Sequence, residues 1–225
     1  MNALWIKALS GLVFVTVAIG AILFLSAGTL DYPEGWVYLL IFSGSSAAIT
    51  LYFLRRDPDL IKRRVKAGPT AEREKTQKAI QSVANVVFAL GVVVPGLDHR
   101  FQWSHVPLSM IVLGDIVVAL GFLAVFLVFK ENTFTSAIIE VDAGQKVITT
   151  GPYRLIRHPM YSGALAMILF APIALGSYWG LLTTVPMFVV IIWRLLDEEK
   201  FLSEHLSGYR EYCGITRFRL IPRIW

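Results

Sequence analysis

Long apolar segments dominate the pattern of hydrophobic and polar residues along this chain of 225 residues. Four of them occupy residues 3–27, 36–54, 79–97 and 106–129, and each contains at most one charged side chain. Because a helix of roughly 20 apolar residues crosses a bilayer, each segment is predicted to be a transmembrane helix. A fifth apolar region, residues 159–196, is too long for one crossing and is interrupted at Gly176-Ser177, which predicts a tight helical hairpin.

The chain is therefore expected to be an all-α integral membrane protein with about six transmembrane helices. We divide it into residues 1–130, with the first four crossings, and residues 131–225, with the hairpin at 159–197 and a polar tail. A basic loop at residues 55–78 joins the second and third crossings. The sequence favours two interpretations of this loop equally: it lies on anionic headgroups, or it is a solvated linker.

Basic residues indicate the orientation of these helices. Of the 21 Lys and Arg residues, nine lie in residues 55–78, four in 130–157 and six in 194–223. Six crossings put all of these and Lys7 on one side, and leave Arg100 on the other. Because basic loops stay in the cytosol, both termini are expected to be cytosolic. The +5 charge is thus explained by topology, and neither a nucleic-acid motif nor an obligate protein partner is evident.

Other polar features carry less weight. His99 and His105 lack a third ligand, so no metal site is expected. The lone Cys213 excludes an internal disulfide. Asp115 lies well inside a crossing, where a charge is a functional candidate, or it pairs with Asn85 or a tyrosine hydroxyl. Residues 138–141 and 146–149 are consistent with a small extended element around the turn Asp142-Ala143-Gly144.

A polar motif leads into the hairpin. Its sequence is Gly151-Pro152-Tyr153-Arg154-Leu155-Ile156-Arg157-His158-Pro159-Met160-Tyr161-Ser162-Gly163. Pro159 suits the first position of a helix, which makes His158 the N-cap. The backbone N–H groups that follow lack intrahelical partners, and such a helix start carries partial positive charge. The simpler interpretation is an ordinary helix entering the membrane, but the aromatic and basic residues crowded against it favour a site.

A second polar cluster ends the hairpin. Arg194 and Glu198 are four residues apart, hence on one helical face. Alone, they are explained by an i,i+4 ion pair with Arg194 snorkelling. Together with the first motif, they predict a pocket in which a cationic cofactor meets Glu198 and a lipophilic molecule with an anionic head meets Arg194. The rings of Tyr153 and Tyr161 would attract a sulfonium or ammonium group.

Residues 132–222 resemble a known family. The chain contains, in order, Gly-Pro-Tyr-x3-Arg-His-Pro-x-Tyr-x-Gly, an apolar hairpin, Arg-x3-Glu-Glu-x2-Leu, Tyr-x2-Tyr and a late Pro. This combination resembles the isoprenylcysteine carboxyl methyltransferases. Their wider relatives are the integral-membrane phospholipid methyltransferases. The N-terminal half resembles them only in hydropathy.

The resemblance implies S-adenosylmethionine as methyl donor, in a cytosolic pocket built by the C-terminal half. It implies that the donor is held by Gln145, Lys146, Val147, Ile148, Tyr153, His158, Tyr161 and Glu198. Arg194 is implied on the substrate side as the catalytic residue, and Glu199 is expected to point elsewhere on the helix. A carboxylate acceptor is favoured, because it is already ionised and needs only a cation, which Arg194 can supply bidentately.

Several acceptors and rival functions stay open. A prenylated cysteine, another lipophilic acid, a phospholipid amine or a small thiol fits the C-terminal motifs. An NADPH-dependent enzyme like the sterol reductases would use Arg154 and Arg157 for the 2′-phosphate, although the Arg194 and Glu198 face argues against it. A non-catalytic membrane scaffold explains the hydropathy but not the two polar clusters. The expected partners are therefore membrane lipids and a lipophilic or prenylated substrate.

Overall fold

The computed structural model describes residues 3–72, 74–141 and 144–225, and this part of the chain contains helices and no strand. The helices are α1 (Ala3–Ala27), α2 (Pro33–Arg56), α3 (Pro58–Arg64), α4 (Lys75–Phe101), α5 (Leu108–Glu131), α6 (Pro159–Ala174), α7 (Leu181–His205) and α8 (Tyr209–Ile215), with a 3₁₀ turn at Gly151–Arg154. The prediction of an all-α fold is confirmed. The extended element predicted at 138–149 forms no strand in the described residues, and its turn residues Asp142 and Ala143 lie outside them.

Four helices are long and apolar enough to cross a membrane: α1, α2, α4 and α5. Each coincides with or largely overlaps one of the predicted apolar segments, so the prediction of an integral membrane protein is confirmed. Their outward faces carry large apolar side chains, such as Phe14 and Leu25, which suit contact with lipid. The predicted break in the fifth apolar region is also present, because α6 ends at Ala174, Gly176 has a φ of +70°, and α7 begins at Leu181.

Small residues bring α5 and α6 into close contact. Gly114 of α5 faces the backbone of Ala174, and Gly121 faces Met167 and the carbonyl of Gly163. Helices in lipid associate through such close packing, because apolar side chains gain nothing by leaving an apolar solvent. The contacts hold α6 against α5 from Gly163 to Ala174, the last residue of α6.

We expect Gly114→Ala to destabilise the fold. A Cβ at this position would lie 2.6 Å from the backbone nitrogen of Ala174, so the helices must move apart. Overpacking of this kind costs about 1–3 kcal/mol, which thermal unfolding in detergent measures. Gly11→Ala is the matched control, since a Cβ there meets nothing within 4 Å. Equal unfolding midpoints for the two variants would contradict the proposed close contact.

The loops gather at two ends of the helix bundle. At one end, the buried Asp98 accepts hydrogen bonds from the hydroxyls of Ser104 (2.7 Å) and Ser177 (2.5 Å), and the hydroxyl of Tyr32 donates to the carbonyl of Leu175 (2.5 Å). These contacts join the α1–α2, α4–α5 and α6–α7 connections. The remaining connections meet at the opposite end, where they surround a cavity.

The sequence left open whether Asp115 pairs with Asn85 or with a tyrosine hydroxyl. The Oδ1 of Asp115 is buried in α5 and has no hydrogen-bond partner among the described residues. Neither Asn85 nor a tyrosine hydroxyl therefore satisfies this oxygen. His99, considered above as a metal ligand, stacks on Tyr32 with ring centroids 4.0 Å apart.

Candidate functional site

The start of α6 is tied to the C-terminal tail. His158 is the N-cap and Pro159 the first helical residue, as predicted. The backbone N–H groups of Arg157 and His158 donate to the carbonyls of Phe218 and Arg219, both at 2.9 Å. The tail thus forms one wall beside the motif that the sequence singled out.

Glu199 holds this junction together. Its Oε1 accepts from Arg157 Nε at 2.7 Å and lies 3.1 Å from His158 Nε2, and its Oε2 accepts from Arg219 Nε at 2.9 Å. Arg157 and His158 are buried. Glu199 therefore points away from the face of Glu198, as expected, and it fixes the orientation of the His158 ring.

We expect Glu199→Gln to lower the stability of the fold. The substitution keeps the shape of the side chain but leaves the buried Arg157 without a counter-charge, and breaking a buried ion pair costs about 3–5 kcal/mol. Thermal unfolding in detergent measures the loss. Glu211→Gln removes the same charge from an exposed position on α8 and is the control. A midpoint as high as that of the control would show that Glu199 does not stabilise the junction.

A cavity of about 370 Å³ lies between this junction, the end of α7 and the α5–α6 connection. Its volume is in the range of small-molecule sites. All nine site residues predicted from the sequence line it: Gln145, Lys146, Val147, Ile148, Tyr153, His158, Tyr161, Arg194 and Glu198. The fold thus brings together side chains from the α5–α6 connection, the first turn of α6 and the end of α7.

Tyr161 connects the two charged residues of the second cluster. Its hydroxyl donates to Glu198 Oε2 at 2.6 Å and accepts from Arg194 Nε at 3.2 Å. The ion pair considered for Arg194 and Glu198 is therefore mediated by a tyrosine from the facing helix. This chain of hydrogen bonds fixes the position of α6 relative to α7 at the cavity.

The ion-pair partner of Arg194 is a residue that the sequence did not suggest. Arg194 Nη1 donates to Glu72 Oε1 and to Gln77 Oε1, both at 3.0 Å, and Nη2 donates to the carbonyl of Ala137 at 3.0 Å. With the bond from Nε, these contacts occupy four of its five N–H donors. A bidentate grip on a substrate, predicted from the sequence, would thus require one of these bonds to open.

The basic loop at 55–78 contributes to the site. Glu72 and Gln77 are 3% and 1% exposed, and Arg64 lines the cavity. The interpretation as a solvated linker is therefore wrong for these residues. A signal was present in α4, where Gln77, Gln81 and Asn85 recur every four residues and so share one helical face; Gln81 and Asn85 line the cavity.

Aromatic side chains close the cavity beside the 3₁₀ turn. Asn132 Nδ2 donates to the hydroxyl of Tyr153 at 3.0 Å, and the hydroxyl of Tyr212 donates to the carbonyl of Tyr153 at 2.7 Å. Burial raises the pKa of Tyr153, so its hydroxyl stays neutral. Burial likewise raises the pKa of the Cys213 thiol, which disfavours the reactive thiolate form.

Comparisons with known proteins bear on the class of enzyme. Residues 109–208 match the phospholipid methyltransferase family. A probable protein-S-isoprenylcysteine O-methyltransferase from Oryza sativa subsp. indica is 28% identical over 190 residues, which cover 80% of this chain and 92% of the rice protein. Both comparisons support the resemblance to the isoprenylcysteine carboxyl methyltransferases. The predicted enzyme class, a methyltransferase, is confirmed with it.

Two further relatives show how far the similarity extends. Protein-S-isoprenylcysteine O-methyltransferase B from Arabidopsis thaliana is 28% identical over 127 residues, covering 56% of this chain and 57% of that protein. A Delta(14)-sterol reductase from Mus musculus is 29% identical over 109 residues, covering 43% of this chain and 25% of that protein. The match to the phospholipid methyltransferase family contains all nine site residues predicted for this chain. Arg64, Glu72 and Gln77 lie outside the match.

Proposed function

We propose that the protein transfers a methyl group from S-adenosylmethionine to a lipophilic carboxylate, such as that of an isoprenylcysteine, at the cytosolic face of a membrane. The observation that carries the proposal is that one cavity is lined by the carboxylate Glu198 and the cation Arg194, bridged by Tyr161. The names of the rice and Arabidopsis relatives favour this acceptor over a phospholipid amine or a small thiol.

The topology proposed for this enzyme has six crossings, with α6 and the apolar part of α7 as the last two. The α1–α2, α4–α5 and α6–α7 connections gather at one end of the bundle and the remaining connections at the other, which is the arrangement expected of six crossings. The cavity lies at the end that carries the basic loops, so the rule for basic residues assigns it and both termini to the cytosol. Residues 131–225 supply the predicted site, and residues 1–130 support it.

The side chains at the cavity suit S-adenosylmethionine. This donor supplies, when bound, a methyl group on a positively charged sulfur. Glu198 would hold its cationic groups, and the faces of Tyr153 and Tyr161 would stabilise a sulfonium. The segment Gln145, Lys146, Val147 and Ile148 lines the cavity beside these side chains, and His158 stands at a helix start suited to a carboxylate.

The remaining residues of the site would align an acceptor and exclude water. Methyl transfer is an in-line displacement, so alignment of nucleophile and donor is the main task of the protein. A carboxylate is already ionised and therefore needs no base, and Glu199 holds the ring of His158 in place. Helix α6 has 16 residues, about 24 Å, against roughly 30 Å of hydrocarbon. Because the α6–α7 connection lies at the end of the bundle opposite the cavity, the first turn of α6 would lie within the inner leaflet, where a lipophilic acceptor can reach it.

Calorimetry and a transfer assay on detergent-purified protein test the proposal. We expect binding of S-adenosylmethionine and of its demethylated product, and transfer of radiolabelled methyl to N-acetyl-S-farnesylcysteine. Binding of NADPH alone would refute the methyltransferase proposal and favour the chemistry named for the mouse relative. Binding of none of the three would favour a scaffold. Labelling of phospholipid or of a small thiol, but not of the farnesylated acid, would refute the acceptor.

A further inference from the structure

Arg64 is a cation in the wall of the cavity whose charge no carboxylate of the described residues neutralises within salt-bridge distance. It is the last residue of α3. Its Nη1 donates to the carbonyl of Ser136 at 2.9 Å, and its guanidinium carbon lies 4.9 Å from the centre of the Phe129 ring. These contacts hold the side chain in place but provide no counter-charge.

Two other arginines that line the cavity, the buried Arg157 and the half-buried Arg194, are compensated. Arg157 is paired with Glu199, and Arg194 is paired with Glu72. Arg64 is half-buried. Because a charge that is partly withdrawn from water and lacks a counter-charge is costly, the setting of Arg64 favours an anion in the cavity. Burial lowers the pKa of Arg64 to about 10, and the charge of Arg194 acts in the same direction. At neutral pH Arg64 therefore remains charged.

The surroundings of Arg64 suit a molecule with an anionic head and an apolar body. Apolar side chains line the same cavity, namely Ala84, Phe134, Ile138, Ile139 and Met160. Arg194 offers only the one N–H of Nη2 that its neighbours leave, and Glu72 already offsets its charge. Arg64 is thus better placed than Arg194 to provide the main electrostatic attraction for an anion.

We propose that Arg64 binds the anionic head of the acceptor, with the remaining N–H of Arg194 as a second donor. The acceptor is then selected by an arginine of the N-terminal half, outside the motifs that carry the resemblance and outside the family match at residues 109–208. This inference rests on the proposed function. It makes Arg64 the residue that distinguishes a carboxylate from an uncharged acceptor.

The test compares two probes, N-acetyl-S-farnesylcysteine and its carboxamide, which differ in charge but not in the apolar chain. Their dissociation constants are measured by calorimetry in one detergent, with the demethylated donor product saturating so that no turnover occurs. We expect Arg64→Gln to weaken binding of the acid by about tenfold or more, since a charge-assisted hydrogen bond is lost. Binding of the amide should change by less than about twofold, and the affinity for the demethylated product should stay as in the wild type.

Lys62→Gln is the matched control, because it removes a positive charge from an exposed position of the same helix. It should leave the affinities for both probes unchanged. If Arg64→Gln does not fold, the same affinities are measured with Arg64→Met, because the unbranched methionine side chain can still pack against Phe129.

The wild-type measurement tests the proposed function, and the difference between variants tests Arg64. A preference for the acid that survives in Arg64→Gln overturns the role of Arg64 and leaves the proposed function intact. A loss of affinity confined to the demethylated product also overturns it, because Arg64 would then bind the carboxylate of the donor.

Discussion

Replacing Glu198 by Gln is expected to weaken S-adenosylmethionine binding by about 10- to 100-fold, since one charge-assisted contact is removed. The substitution keeps the size of the side chain and an oxygen that accepts from the hydroxyl of Tyr161, which now bonds Glu198 Oε2 at 2.6 Å. The fold should therefore persist, whereas the attraction for the cationic groups of the donor is lost. Calorimetry gives the dissociation constant, and thermal unfolding without ligand verifies the fold.

Glu204→Gln is the control for this prediction, because Glu204 is an exposed carboxylate of the same helix α7. Its affinity for the donor should equal that of the wild type. An equal affinity for Glu198→Gln and Glu204→Gln would remove Glu198 from the donor site. A weakened affinity in both variants would indicate a general effect of surface charge, which added salt would abolish.

Hydropathy alone was sufficient to predict the four long apolar helices, because a crossing must satisfy every backbone group internally and must be apolar throughout. The predicted segment 3–27 coincides with α1, and 106–129 differs from α5 by two residues at each end. The break at Gly176 was readable for a similar reason, since a glycine with positive φ ends a helix at little cost.

The shared cavity of the nine site residues was predictable for a different reason. Residues around Tyr153 and those around Arg194 flank a single helical hairpin, so both ends of the hairpin return to one side. Proximity therefore followed from chain topology, and the resemblance supplied the identities of the residues.

The partners of Arg194 could not be found in this way. Glu72 lies 122 residues from Arg194 in the sequence, in a loop whose charges are as typical of a surface as of a site. Only tertiary packing buries it. The repeat of Gln77, Gln81 and Asn85 along α4 was a local hint, because amides on one face of a hydrophobic helix need polar partners. The direction of Glu199 was easier to predict, because adjacent residues of a helix point to different sides and Glu199 directly follows Glu198.

A double-variant cycle at Arg194 and Glu72 separates catalysis from folding. Arg194→Met leaves Glu72 buried at 3% exposure without its counter-ion, which costs about 3–5 kcal/mol. Lost turnover in this variant is therefore ambiguous by itself. Adding Glu72→Gln removes the orphaned charge while keeping an oxygen and the shape of the side chain, so the double variant should regain most of the lost unfolding free energy.

In the double variant, the rate of methyl transfer should remain low although the unfolding free energy recovers. Without the guanidinium, the acceptor is misplaced relative to the methyl donor, and we expect the rate of methyl transfer to N-acetyl-S-farnesylcysteine to stay at least about a hundredfold below wild type in the single and double variants. S-adenosylmethionine should bind to the double variant with nearly unchanged affinity. Lys200→Met, at an exposed position of α7, controls for loss of a positive charge. If turnover recovers together with stability in the double variant, Arg194 serves the fold through its bond to Glu72, and the anion must be held by other residues of the cavity.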